Sequence, residues 1–178
     1  MCIRDRLKGV KRAEIAGSMR RWSETIGDVD IVCGVGPKAV GEELTAAFTQ
    51  FPEVEKILGQ GTTKASVIVG GGLQVDLRIV PDDNFGAAIQ YFTGSKEHNV
   101  KLRGLALDKG FTLNEWGLYD LKKYEKAPKE TGKPPALPAV ASKTEADIYE
   151  ALGLDYVEPE LREDRGEIEQ AQQKKLPN

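Results

Sequence analysis

The chain has 178 residues, with 25 Lys and Arg against 28 Asp and Glu, a formal net charge of −3 and 30% charged residues. That length supports one or two small domains with a real hydrophobic core, and the slight acidity excludes a protein that grips nucleic acid through net charge alone. Cys2 and Cys33 make no disulfide framework, no stretch is apolar enough to span a membrane, and Met1 to Arg12 lacks the apolar core of a secretory signal, so a cytoplasmic location is expected.

Glu14-Ile15-Ala16 reads as the end of a short strand, and Ser18-Met19-Arg20-Arg21-Trp22 as a helical turn entered through Gly17. A glycine there lets backbone approach a ligand closely, and free N–H groups at a helix start favour phosphate. The Ser18 hydroxyl and the guanidinium of Arg20 or Arg21 would add donors to a polyphosphate. Trp22 stands where a small residue is expected after the paired arginines. Gly27 through Cys33 is a β-branched run that predicts a strand bearing Asp28 and Asp30, with Cys33 a core residue at its end. Gly34-Val35-Gly36-Pro37 breaks the chain, Pro37 suits the first turn of a helix, and Val40, Leu44, Ala47, Phe48 and Phe51 recur at helical spacing. Val54 to Leu58 and Ala65 to Val69 read as strands. Gly70-Gly71-Gly72 then turns the chain into a strand, Leu73 to Val80, bearing Asp76. A strand follows this glycine run where a phosphate loop needs a helix, so it cradles no phosphate.

Residues 84–109 predict two helices broken at Thr93-Gly94, the second with Val100, Leu102, Leu105 and Ala106 on its apolar side and Gly110 closing it. His98, the single histidine, has no partner spaced for zinc and reads as structural or surface. Phe111 to Asn114 and Gly117 to Tyr119 predict short strands. Residues 122–143, rich in Lys with Pro134, Pro135 and Pro138, read as a flexible loop. Thr144 suits the N-cap of an amphipathic helix from Glu145 to Leu152, and the last residues read as a frayed tail.

Chemistry concentrates on three aspartates. Asp28 and Asp30, at i and i+2 on one strand, project from one face, and Asp76 lies on a second apolar strand. Carboxylates in such positions are expensive unless something neutralises them, and an all-oxygen set suits hard divalent cations, above all Mg²⁺. Taken singly, each piece has a plainer explanation: Gly17-Ser18 as a turn, Asp28 and Asp30 as solvated edge groups, Asp76 as the ion-pair partner of Arg78. Their order and strand context together point to a metal site for phosphoryl transfer.

Three stretches carry a resemblance: Ala16-Gly17-Ser18-Met19-Arg20-Arg21, Gly27-Asp28-Val29-Asp30 with the preceding Glu24-Thr25-Ile26, and Val75-Asp76-Leu77-Arg78. With Tyr91-Phe92-Thr93-Gly94-Ser95, Asn99, Arg103 and Gly110-Phe111-Thr112-Leu113-Asn114-Glu115, they resemble the family X DNA polymerases, nearest the bacterial PolX branch. The likeness runs over roughly residues 12–169 and is weak near 120–143. It implies an α+β fold, a nucleotidyltransferase palm (a mixed β-sheet with flanking helices) followed by a small α+β thumb. The expected division is a non-native start over 1–6, palm 7–82, thumb 83–157 with a flexible loop 122–143, and an acidic linker 158–178 toward a C-terminal phosphoesterase domain.

The resemblance implies a template-directed, repair-type DNA polymerase. It would use two Mg²⁺ ions, with Mn²⁺ able to substitute, to transfer a dNMP to a primer 3′-OH and release pyrophosphate. Asp28, Asp30 and Asp76 are the implied metal ligands and catalytic residues, with Asp76 a candidate acceptor of the hydroxyl proton. Gly17, Ser18 and Arg21 are implied triphosphate anchors, a role Arg20 shares equally. Tyr91, Phe92 and Gly94 would lie against the incoming sugar and Asn99 on the base, with core packing an equal reading for Phe92. Arg103 is implied on the template, while Arg78 and Lys96 would touch DNA; Lys96 and Lys101 are equally at home on a solvated helix face. The partners are a gapped or primer–template duplex and a dNTP, and the chain is expected to be a monomer.

Two other functions compete: a different nucleotidyltransferase on the same scaffold, and a non-catalytic module that binds DNA ends. The block from Tyr91 to Arg103 discriminates against the first, since such enzymes need no template-reading helix. Met1-Cys2-Ile3-Arg4-Asp5-Arg6 reads as translated adapter sequence, so the chain is expected to be a fragment. An intact metal site, weak nucleotide binding and poor or no processive synthesis by this chain alone follow as expectations.

Overall fold

A computed structural model describes residues 7–176, and the chain divides between Asp82 and Asp83 into two compact units. Met1–Arg6, the expected non-native start, and with it Cys2, lie outside the described residues.

The first unit is a five-stranded sheet in the order β1-β2-β5-β4-β3. Its strands are β1 (Val10–Ile15), β2 (Asp28–Val35), β3 (Val54–Gln60), β4 (Lys64–Val69) and β5 (Leu73–Pro81). β2 and β5 run parallel and every other neighbouring pair is antiparallel. The odd-numbered residues of β2, β4 and β5 face the core. Cys33, Ala65, Val67, Val75, Leu77 and Ile79 are buried there with Leu44 and Phe48 from the helix α2 (Gly41–Thr49). This is strand alternation at work: one face apolar and covered, the other free for polar groups. Pro37 does not open that helix; Val40, in an extended conformation, is its N-cap. Arg12 braces β1 to the end of β5, donating from Nε to Asp82 Oδ1 at 2.8 Å and from Nη2 to the Asp82 carbonyl at 2.7 Å.

The second unit contains α3 (Phe85–Thr93), α4 (Lys96–Asp108), a hairpin of β6 (Phe111–Asn114) and β7 (Gly117–Asp120), and α5 (Leu121–Lys126), α6 (Glu145–Ala151) and α7 (Glu167–Gln172). The molecule is thus an α+β protein with one mixed sheet and several flanking helices. Thr144 caps α6 by accepting from Asp147 N, and Ser95 caps α4 by accepting from His98 N. Some expectations for this unit need correction. The segment expected to loop over 122–143 starts inside helix α5, capped by Asp120, and near its end buried Ala141 bridges to Leu118. Val100, assigned to the apolar side of α4, is 54% exposed.

The acidic segment after 157 is folded rather than a linker. Val157, Ile168 and Ala171 lie in the same core as Leu102, Leu118 and Ile148. Polar side chains buried with them have specific partners. Arg162, 0% exposed, gives Nη1 to Glu145 Oε1 at 2.6 Å and both Nε and Nη2 to the Val157 carbonyl, between the rings of Tyr149 and Tyr156. Removing one partner of such a buried pair costs about 3–5 kcal/mol, because the other charge is stranded.

His98 is likewise fully buried, with Nδ1 2.7 Å from Glu167 Oε1 and Nε2 2.9 Å from the Tyr149 hydroxyl. A carboxylate only accepts, so Nδ1 carries the proton and Nε2 accepts from Tyr149. Burial holds the imidazole below its ordinary value of 6.5, against the pull of Glu167. A depressed histidine stabilises the fold above its unfolded value, and that contribution is lost as pH falls through the folded one. Unfolding free energy should therefore decline below about pH 6.5, with a limiting slope of about 1.4 kcal/mol per pH unit. Urea titrations at several pH values test this: the decline should be absent in His98→Gln, and a slope that survives that change would belong to other groups.

Candidate active site

The polar face of the first unit's sheet is built by register. The parallel pairing sets Asp28 beside Gln74, Asp30 beside Asp76 and Val32 beside Arg78. The antiparallel pairing extends those rows to Ile68, Ser66 and Lys64 of β4. Asp30 and Asp76 are thus neighbours across the sheet although far apart in sequence, and Asp28 lies one alternation along. Asp76 is 9% exposed, while Asp28 and Asp30 are half-buried.

The electrostatics follow from this crowding. Burial first, then the charges of Asp28 and Asp76, hold the Asp30 carboxyl above its usual range, while Arg78 and Lys64 oppose the shift. Gln74 leans on Asp76, its Nε2 lying 3.3 Å from each carboxylate oxygen. Lys64 and Ser66 entered no sequence reading as site residues, since only the pairing of β4 with β5 brings them to this face. Gln74, at i−2 from Asp76, shares its face by strand alternation.

The one-turn helix α1 (Gly17–Arg20) packs against β2. The Ala16 N–H donates to the Asp30 carbonyl at 2.8 Å, and Gly17 sits directly on the Asp30 side chain. A Cβ at Gly17 would fall 2.5 Å from Asp30 Oδ2, and its φ is +65°. The left-handed φ favours glycine, and a side chain there would also push the Asp30 carboxylate out of its place. Ser18 and Arg21, half-buried, follow Gly17 within and just after this helical turn. The turn closes with Trp22 at φ 57° and 80% exposed, in a conformation where glycine is usual.

The remaining predicted residues belong to the second unit. Tyr91 and Phe92, half-buried at the end of α3, meet edge to face at 5.1 Å between ring centroids. Gly94 follows at φ +71°, and the Gly94–Ser95 peptide is cis. Asn99 is buried; its Nδ2 donates to the Tyr91 carbonyl at 2.7 Å and its Oδ1 accepts from Gln90 Nε2 at 2.7 Å. Arg103 Nε donates to the Asn99 carbonyl. Asn99 therefore clamps the start of α4 onto the end of α3, keeping one N–H and one lone pair in reserve. Lys96 is exposed, whereas Lys101 is engaged by Asp164 and Glu169, each at 2.8 Å.

Among the described residues no three His, Cys, Asp or Glu side chains form a ready-made metal cage. The donor chemistry nevertheless fits a hard divalent cation. Three carboxylates share one face, and burial first, then the charges of the other two, hold Asp30 against ionisation, which a bound dication would relieve. Mg²⁺ commonly takes only one or two carboxylates, with water and substrate phosphates completing its shell.

The first unit is thus a mixed sheet with three carboxylates on one face, and the second is helical and carries a small hairpin. Residues 88–163 match the profile of the DNA polymerase beta thumb. The chain is 33% identical over 157 residues to the DNA polymerase/3′-5′ exonuclease PolX of Bacillus subtilis, across 86% of this chain and 25% of that protein. It is 31% identical over 162 residues to DNA polymerase lambda of Rattus norvegicus, across 83% of this chain and 28% of the relative. The chain belongs to the family X DNA polymerases, and it spans about a quarter of the length of these curated relatives. Among the described residues no helix is long and apolar enough to cross a membrane.

Proposed function

We propose that this chain carries the palm and thumb of a template-directed, repair-type DNA polymerase of the PolX kind, which adds a dNMP to a primer 3′-OH. The observation that carries the reading is the register of β2 and β5, which sets Asp30 beside Asp76 on the face that also bears Asp28. Divalent cations, Mg²⁺ or Mn²⁺, held by Asp28, Asp30 and Asp76 would supply charge neutralisation at the triphosphate and acidify the attacking hydroxyl. Asp76, braced by Gln74, is the candidate acceptor for that hydroxyl's proton. Gly17, Ser18 and Arg21 hold the triphosphate; Gly17 does so as backbone, its φ of +65° favouring glycine. Tyr91, Phe92, Gly94 and Asn99 take the roles of nucleotide contacts, and Arg78, Lys96 and Arg103 those of DNA contacts. The thumb match and both relatives' names support DNA and dNTP as substrates. A monomer working in the cytoplasm completes the proposal.

The test is single-nucleotide insertion on a duplex with a one-nucleotide gap, in Mg²⁺ or Mn²⁺, comparing this chain with Asp76→Ala. Template-matched insertion lost in the variant is the expected result. Insertion that ignores the template base would favour a nucleotidyltransferase with another acceptor and remove the template role of Arg103. Insertion that survives Asp76→Ala would overturn the carboxylate assignment.

A further inference from the structure

The segment that follows the second unit's main helices closes over the turn that proposes to meet the nucleotide. Arg162 is the centre of that closure. Its side chain folds back on its own loop, with Nε and Nη2 both on the Val157 carbonyl at 3.0 and 2.8 Å and Nη1 on Glu145 Oε1. This fixes the Arg162 backbone, and the Arg162 carbonyl accepts from the Ser95 N–H at 3.1 Å. Ser95 immediately follows Gly94, caps α4 through its hydroxyl, and its carbonyl accepts from the Asn99 N–H at 3.0 Å. A continuous chain of hydrogen bonds thus runs from Glu145 through Arg162 to Ser95 and Asn99.

We propose that Arg162, held by Glu145 and the Val157 carbonyl, is a positioning residue for the segment from Gly94 to Asn99, and so governs how tightly the incoming nucleotide is held. The proposal rests on the polymerase reading for the nucleotide's part in it. Arg162 is fully buried within the second unit, bonded to Glu145 and Val157. A loosened Ser95 displaces Gly94 and Asn99 while leaving Asp28, Asp30 and Asp76 intact, so the effect belongs in nucleotide KM more than in kcat. Lysine cannot replace the arginine fork, because one ammonium does not reproduce two parallel donors to the Val157 carbonyl while also meeting Glu145.

The experiment compares wild type, Arg162→Lys and the milder Glu145→Gln by residue-resolved amide exchange and by gap insertion. In Arg162→Lys, exchange at Ser95 and Asn99 should quicken about tenfold while amides of the β6–β7 hairpin keep their rates. The KM for the matched dNTP should rise about fivefold, with kcat within about twofold. Glu145→Gln should move both readouts the same way by less, and it carries the test if Arg162→Lys does not fold. Unchanged exchange at Ser95, or acceleration spread equally over the hairpin, overturns the positioning role. Faster exchange with an unchanged KM overturns its link to the nucleotide. A wild-type chain that inserts nothing sinks the polymerase reading instead, and the exchange pattern alone then decides whether Arg162 sets this segment.

Discussion

Asp30→Asn should cut nucleotide insertion by more than about a thousandfold and, in the absence of divalent cations, make the protein more stable. The first effect follows from removing a charged oxygen ligand from a site whose proposed chemistry depends on charge neutralisation at the triphosphate. The second follows from the crowding on the sheet face. Burial and the charges of Asp28 and Asp76 hold the Asp30 carboxyl above the usual range, so at neutral pH its ionised form strains the fold. That strain disappears as pH falls through the folded value, because the carboxyl then protonates. An uncharged amide removes it at every pH. For a half-exposed group screened by water, the gain is on the order of 1 kcal/mol. Thermal melts in chelator at pH 7 and near pH 3 would reveal it as a difference present at the first and absent at the second. Added Mg²⁺ or Mn²⁺ should raise the wild-type melting temperature and leave Asp30→Asn little changed. A wild type indifferent to both ions would contradict the carboxylate site as a cation site.

Gly86→Ala should lower the stability of the second unit by about 2–4 kcal/mol, whereas Gly104→Ala should raise it by about 0.5–1 kcal/mol. Both glycines lie inside helices, Gly86 in α3 and Gly104 in α4, so alanine improves helix propensity equally at each. Their surroundings decide the sign. A Cβ at Gly86 would stand 2.4 Å from the N, Cα and C atoms of Thr144, whereas at Gly104 it meets nothing within 4 Å. Thr144 is the N-cap of α6, so the backbone there cannot yield without moving α6 off α3 and disturbing the cap. Overpacking against rigid backbone outweighs the propensity gain. Urea unfolding of both variants checks the pair, and equal effects from the two would mean that α3 and α6 do not approach each other closely at Gly86.

Much of this was legible in the chain because strand alternation and glycine placement are local signals. The β-branched run around Asp28 and Asp30, the Gly70-Gly71-Gly72 turn and the break at Thr93-Gly94 each announce an element boundary without reference to anything distant. The Thr144 and Gly110 boundaries were readable for the same reason. The tail was not. Glu158, Glu160, Glu163, Asp164, Glu167 and Glu169 look solvated because charge is normally exposed, yet Glu167 is buried against His98, a residue 69 positions earlier. Arg162 and Glu145 disappear into the core by the same long-range pairing. No periodicity reports such a partner. At the site, the three aspartates, Gly17 and the shared face of Gln74 and Asp76 were readable, but the charges of Lys64 and Arg78 bearing on Asp30 required the register of three strands.

The parallel pairing of β2 with β5 also dictates where this chain can change length over evolutionary time. Inserting or deleting one residue within either strand would reverse its alternation, sending an aspartate into the apolar layer beside Cys33 or Leu77 and a valine or leucine to the outer face. Every such event erases chemistry and core together. In the turns between the two strands, such as Gly70 to Gly72, a Cβ at Gly71 or Gly72 meets nothing and an added residue shifts no register between β2 and β5. Indels among descendants of this sequence are therefore expected to collect in the connections, while the strand lengths around Asp30 and Asp76 stay constant even as the residues packed behind them drift.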